Sequence, residues 1–334
     1  MPAALSATAF VSEPRIGRPI NQTRKRTFGI ARSDREVPRI GYHIAALVDG
    51  RALEDHCEAK YEPCHIEAID RLRTTPCIRH RSRRMTDEIL PPAGGYAAAP
   101  GWLQYSRGVR ALPGHAIVRV RFQHPIPLDA GFARIATWLR DRERPLTSLC
   151  ACELRSPAQF TEDGFRAFNL RYAETLRTWG VMQGDANPVA RSNVCPPIAP
   201  PPEPSFYAFC YAAPAPGATP TFVAAGAGEA IEGTGPYRER VIAYGDTSAV
   251  GMRRKAERVM DEMERRMALI GGSWKAGTAV QVYAVHEIHS FVADLLVARG
   301  AASHGLTWHF ARPPVVGLEY EMDVRAVNEE RVTA

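Results

Sequence analysis

The 334-residue chain contains no uninterrupted apolar run of about 18 residues, so no segment reads as a hydrophobic membrane-spanning helix. Its opening, MPAALSATAFVSEPR, lacks the basic-then-apolar order of a secretory signal, and a cytoplasmic location is the expectation. Lysine is scarce. Arginine supplies nearly all of the 42 Lys and Arg, which stand against 36 Asp and Glu for a net charge of +6. No nucleic-acid motif accompanies these arginines, even in the basic stretches Arg24-Lys25-Arg26 and Arg79 to Arg84, so no nucleic-acid partner is expected. Guanidinium groups instead suit small carboxylates, which they grip with two parallel bonds. Seven cysteines are present and none forms a Cys-x-x-Cys pair. Cys57, Cys64 and Cys77 have histidine neighbours, but six and twelve intervening residues do not close a tight turn around zinc. A metal site is not expected, and the thiols read as reduced and mostly buried.

With 45% hydrophobic and 23% charged residues, the chain can bury cores large enough to need no covalent staple. Residues 1–36 read as a basic flexible arm, Ile40–Leu47 as a strand, and residues 48–95 carry no assignable role. AIVRVRF, residues 116–122, alternates apolar and basic side chains as a half-exposed strand does. Phe132–Arg140 reads as an amphipathic helix and Leu146–Leu154 as a buried strand. Thr161 caps a helix through Arg177, with Phe165, Phe168, Tyr172 and Leu176 on one face and Gly180 closing it. ARSNVCPP (190–197) follows, then the strand Phe206–Tyr211.

Prolines flank that strand, and 214–220 reads as a linker between domains spanning 37–213 and 221–330. The second half predicts strands Thr221–Ala225 and Val241–Tyr244, a helix Ser248–Ile270 with a methionine stripe, and strand Thr278–Val285. A helix Ser290–Ala298 and strands Thr307–Phe310 and Leu318–Val327 complete it. The fold class is α+β: two mixed sheets, each with helices on one face.

The ordered pieces TFVAAGAGEA, YGDTSAVGMRRKAERVMDEMERRMALIGGSW, TAVQVYAV and HFARPPVVGLEYEMDVRAV resemble the Rid (YjgF-like) family of small deaminases. The first half resembles a diverged copy of the same unit, so the resemblance implies two tandem Rid-like, chorismate-mutase-like domains. In ARSNVCP, Arg191 matches the family's carboxylate-binding arginine, with Ser192 and Asn193 beside it. The second copy lacks that motif but carries Glu319 and Glu321, which the first copy's last strand lacks. One pocket per chain is therefore implied, with Arg191, Ser192 and Asn193 as binding residues and Glu319 and Glu321 as catalytic carboxyls.

Among two-copy members the chain resembles the 2-aminomuconate deaminases, notably through ARSNVCP and the proline-rich stretch after it. That resemblance implies cofactor-independent, hydrolytic removal of the amino group from an unsaturated dicarboxylate. A second carboxylate requires a second clamp, for which Arg155 and Arg312 are candidates. A chorismatase-like enzyme and a non-catalytic acid-binding relative stand as alternatives. A homotrimer is the expected assembly, with a small dicarboxylate as the partner molecule.

Overall fold

The computed structural model describes residues 88–182 and 184–334, all within the compact unit Ile78–Ala334. The expected arm, the strand Ile40–Leu47 and the cysteines at 57, 64 and 77 lie outside the described residues. Strands β1 (Tyr96–Ala99) and β2 (Gly108–Ala111) form an antiparallel pair. Then come β3 (His115–Pro127), helix α1 (Leu128–Arg140), β4 (Leu149–Arg155), helix α2 (Glu162–Thr178), β5 (Ala190–Val194) and β6 (Ser205–Pro214). The later half contains β7 (Phe222–Gly228), a single turn α3 (Tyr237–Arg240), α4 (Ala249–Leu269) and β8 (Ala279–Tyr283). An irregular helical stretch, His289–Phe291 and Val292–Val297, precedes β9 (Thr307–His309), β10 (Glu321–Ala326) and β11 (Glu329–Thr333).

Two mixed sheets result, ordered β11-β3-β6-β4-β5 and β1-β2-β7-β10-β8-β9. Within them the same four-strand unit occurs twice. In each, the first strand leads through a helix to the third position, a second helical connection leads to a parallel edge strand, and the last strand inserts antiparallel between the first two. The halves also exchange edges across residues 214–220. β2 pairs with β7, and β11 returns to lie parallel to β3, so neither sheet is confined to one side of that linker.

Helices cover the outer faces. Phe165, Phe168, Tyr172 and Leu176 of α2 join Phe132 and Ile135 of α1 over β3, β4 and β6. The methionine stripe of α4 packs on β7, β8 and β10, with Met260 and Met263 fully buried. Both long caps form as their sequences dictate, Thr161 accepting from the Gly164 amide and Ser248 from the Gly251 amide. The inner faces meet through small side chains, among them Ala98, Ala151, Ala190, Ala212 and Ala225.

Small residues bring the sheets close, and a charged seam runs beside them. Arg119 donates to both carboxylate oxygens of Glu153, at 2.6 and 2.8 Å. Arg325 reaches Glu153 at 3.6 Å and Glu330 of β11 at 3.0 Å. Burial pushes the Glu153 carboxyl toward neutrality, but Arg119 and Arg325 outweigh it and hold the group well below the usual carboxylate range.

Two expected strands differ. Val241–Tyr244 supplies only a single bridge, Val241 with Ala230, and then turns, with Ala243 at φ 50°. β10 begins at Glu321 rather than Leu318, because the Glu319 and Tyr320 amides donate to the buried Glu229 carboxylate instead of to a neighbouring strand. The four cysteines within the described residues are free and buried.

Removing one member of the seam leaves buried charge without a partner. Glu153→Ala should lower unfolding free energy by roughly 3–5 kcal/mol, measured by urea titration. A loss below about 1 kcal/mol would show that the seam contributes nothing net.

Candidate active site

A cavity of about 170 Å³ opens where the edge strand β5 meets β7 and the start of β10. Side chains alternate along β5. Arg191 and Asn193 face the cavity and α2, whereas Ser192 points toward the other sheet. Arg191 is 4% exposed, and its guanidinium lies 4.7 Å from the Tyr172 ring, with Phe165 and Phe168 beyond. Its Nη2 donates to Asn169 Oδ1 at 2.6 Å. Nη1 is buried with no partner among the described residues, and so is Nδ2 of Asn193, whose Oδ1 accepts from the Ser156 hydroxyl. Two unsatisfied donors on one wall are what a carboxylate requires, since leaving them unpaired costs about 1–3 kcal/mol each.

Glu321 enters the same cavity from β10. Gly226 of β7 makes its position possible, because a Cβ there would stand 2.2 Å from Glu321 Oε1 and 3.0 Å from Ser192 Cβ. Glu321 is 5% exposed. Burial, then the neighbouring Asp323 charge, pushes its pKa up to about 8, against a smaller opposing pull from Arg266. Asp323, two residues on and on the same face, is held by the Tyr283 hydroxyl at 2.8 Å and Gln281 at 2.9 Å. At neutral pH the cavity therefore holds a protonated carboxyl beside a fixed cation, an arrangement suited to general acid chemistry on a bound acid.

Of the residues singled out from sequence, Arg191, Asn193 and Glu321 come together in this cavity. Glu319 does not line it. Its carboxylate accepts from Arg312 Nη1 at 2.8 Å and lies 3.0 Å from His286 Nε2, outside the cavity lining. Residues two apart share a face only within a strand, and Glu319 precedes β10. Arg312 is taken up by that same ion pair, so it is no free clamp for a second carboxylate. Arg155 is buried in the seam instead, donating to the Leu154 carbonyl and stacked 4.2 Å over Tyr207. Ser192 abuts Gly226 on the inner face, with its hydroxyl unpartnered among the described residues.

Sequence reasoning missed Arg266, Arg240 and Tyr105. Arg266 of α4 lines the cavity, 2% exposed, donating to the Ala225 and Gly226 carbonyls and paired with Glu262 and Glu232. Tyr105 lies beneath it, 5.4 Å from ring centroid to guanidinium. A signal existed. Lys255, Glu262 and Arg266 share helical spacing with Val259, placing charge on a buried edge of the stripe. Asn169 likewise interrupts the apolar face of α2 where Arg191 needs an acceptor.

Residues 89–331 match the family described as 2-aminomuconate deaminase CnbZ. A 2-amino-5-chloromuconate deaminase of Comamonas testosteroni is 45% identical over 250 residues, covering 74% of this chain and all of the relative. A chorismatase crystal structure aligns with 70% of this chain and 77% of its own, at 13% identity and a TM-score of 0.35, too low to carry a fold argument. Extent of match and identity together place the chain in a family: it belongs to the 2-aminomuconate deaminase CnbZ family.

Proposed function

We propose that the chain is a hydrolytic deaminase of a 2-amino-substituted unsaturated dicarboxylate such as 2-aminomuconate, releasing ammonia and a 2-oxo acid without a cofactor. The observation that carries this reading is the meeting of Arg191 and a protonated Glu321 in one cavity. The unpartnered donors of Arg191 and Asn193 hold the carboxylate beside the amino-bearing carbon. Glu321 gives its proton to the carbon chain, which converts the enamine to an iminium. The ionised carboxylate then takes a proton from water as that water adds to the amino-bearing carbon, forming a neutral carbinolamine. The hydroxyl proton of the carbinolamine passes to nitrogen as the C–N bond breaks, expelling ammonia and leaving the carbonyl, so one water is consumed and the acid is regenerated.

The repeated four-strand unit supports two tandem Rid-like copies, one supplying the cation and the other the acid. The same resemblance makes a homotrimer the proposed assembly, for which light scattering should give three times the chain mass.

Ammonia release from 2-aminomuconate tests the reaction. Glu321→Gln and Arg191→Met should each lower kcat/KM by at least about 100-fold, while Glu319→Gln, outside the cavity, stays within a few-fold of the parent. Loss in Glu319→Gln with retention in Glu321→Gln would reverse the roles. Because the protonated carboxyl is the active form, kcat/KM should hold below pH 8 and fall as pH rises through that value.

Gly226→Ala places a methyl group where Glu321 Oε1 sits, so it should cost at least tenfold in kcat through the displaced acid. An unchanged rate would show that the carboxyl position does not matter.

Burial of Glu321 also carries a stability cost of known sign. Its folded-state pKa lies above the unfolded one, so the full stability is present below about pH 4.5 and declines up to about pH 8. At pH 7 the cost is on the order of 3 kcal/mol. The melting temperature of Glu321→Gln relative to the parent should therefore rise between pH 5 and pH 8, and a constant difference would contradict the buried neutral acid.

A further inference from the structure

Three guanidiniums line the cavity, and they differ in what neutralises them. Arg266 has Glu262 at 2.8 Å and Glu232 at 3.2 Å. Arg191 and Arg240 have no carboxylate within ion-pair distance among the described residues. They also differ in depth, Arg191 being buried and Arg240 half-exposed at the solvent side. Arg240 ends the single turn α3, and its guanidinium lies 4.6 Å from the ring of Tyr237, another lining residue. Its Nε donates to the Gly235 carbonyl at 3.0 Å and its Nη1 to the Ile231 carbonyl at 2.7 Å. Those two bonds and the ring fix the plane of the guanidinium, and they account for two of the five N–H groups an arginine carries.

We propose that Arg240 reads the second carboxylate of a dianionic substrate, at the open end of the cavity whose closed end is Arg191. A cavity with one unneutralised cation at each end favours a molecule with an anion at each end over one with a single anion. Arg266, its charge already balanced, also lines the cavity. The pinned guanidinium loses little freedom on binding, so its contact favours affinity. Specificity for the dicarboxylate then resides in Arg240 and orientation of the reacting end in Arg191. This inference rests on the proposed reading of the cavity as an acid-binding site, and it replaces Arg155 and Arg312 in the role of second clamp.

Two stable probes separate the ends: trans,trans-muconate and sorbate, six-carbon dienes of the same geometry with two carboxylates and one. Calorimetric titration of the full chain should show muconate binding at least roughly tenfold tighter than sorbate, the size of one charge-assisted contact. Arg240→Gln should bring muconate down to the sorbate level and leave sorbate within about twofold, and Arg240→Lys should keep part of the preference. Arg191→Met should weaken both probes. The proposal is overturned if the parent binds the two alike or does not bind muconate. It is equally overturned if Arg240→Gln, folded by circular dichroism, keeps the preference or weakens both probes by one factor. Ammonia release is read separately. A chain that releases none yet shows the Arg240-dependent preference loses the deaminase reading and retains the dianion site.

Discussion

The constraint on which the rest of the structure depends is the burial of ionisable groups between two closely stacked sheets. Alanines at the inner faces let the backbones approach, and the charged side chains beside them lose water. Each must then be paired or neutral. Arg119, Glu153 and Arg325 take the first course, within hydrogen-bond or ion-pair reach of one another. Glu321 takes the second. It lies at the end of the same row, next to Asp323 and away from a bidentate partner, so retaining its proton is the cheaper state. The proposed acid is thus a product of the same desolvation that makes the seam rigid.

Gly226 connects that electrostatic state to geometry. β5 and β7 belong to different sheets, and at their closest approach there is room for either a Cβ or the Glu321 carboxyl, not both. The glycine allows Ser192 on one side and the carboxyl on the other to share the gap. Arg191 reaches the same cavity from the opposite face of β5 because adjacent residues of a strand point in opposite directions. Asn169 and the aromatic face of α2 then hold the guanidinium. Cation and acid come from different copies of the repeated unit, so neither half contains the site by itself.

Buried Glu229 has a supporting part. Lys255 lies 3.3 Å from it, and its oxygens accept the backbone amides of Glu319 and Tyr320. That anchor sets where β10 starts, hence which of the two glutamates becomes the strand residue inside the cavity. Glu319, left outside, is neutralised by Arg312.

The sequence alone determined the elements with strong local signals. Helices α2 and α4 announce themselves through apolar spacing and hydroxyl caps, and β4 and β8 through short apolar runs. The ARSN motif singled out Arg191 and Asn193, and the pair of glutamates singled out Glu321 together with its neighbour. Only the tertiary structure decided between those neighbours, because the choice depends on a carboxylate ninety residues away that captures two amides. Likewise only it showed β1 and β2 joining the later sheet, β11 joining the earlier one, and Arg240 and Arg266 lining the cavity. Local spacing reports which face a residue occupies; what a face meets, and whether a charge there finds water, a partner or neither, depends on contacts between distant segments.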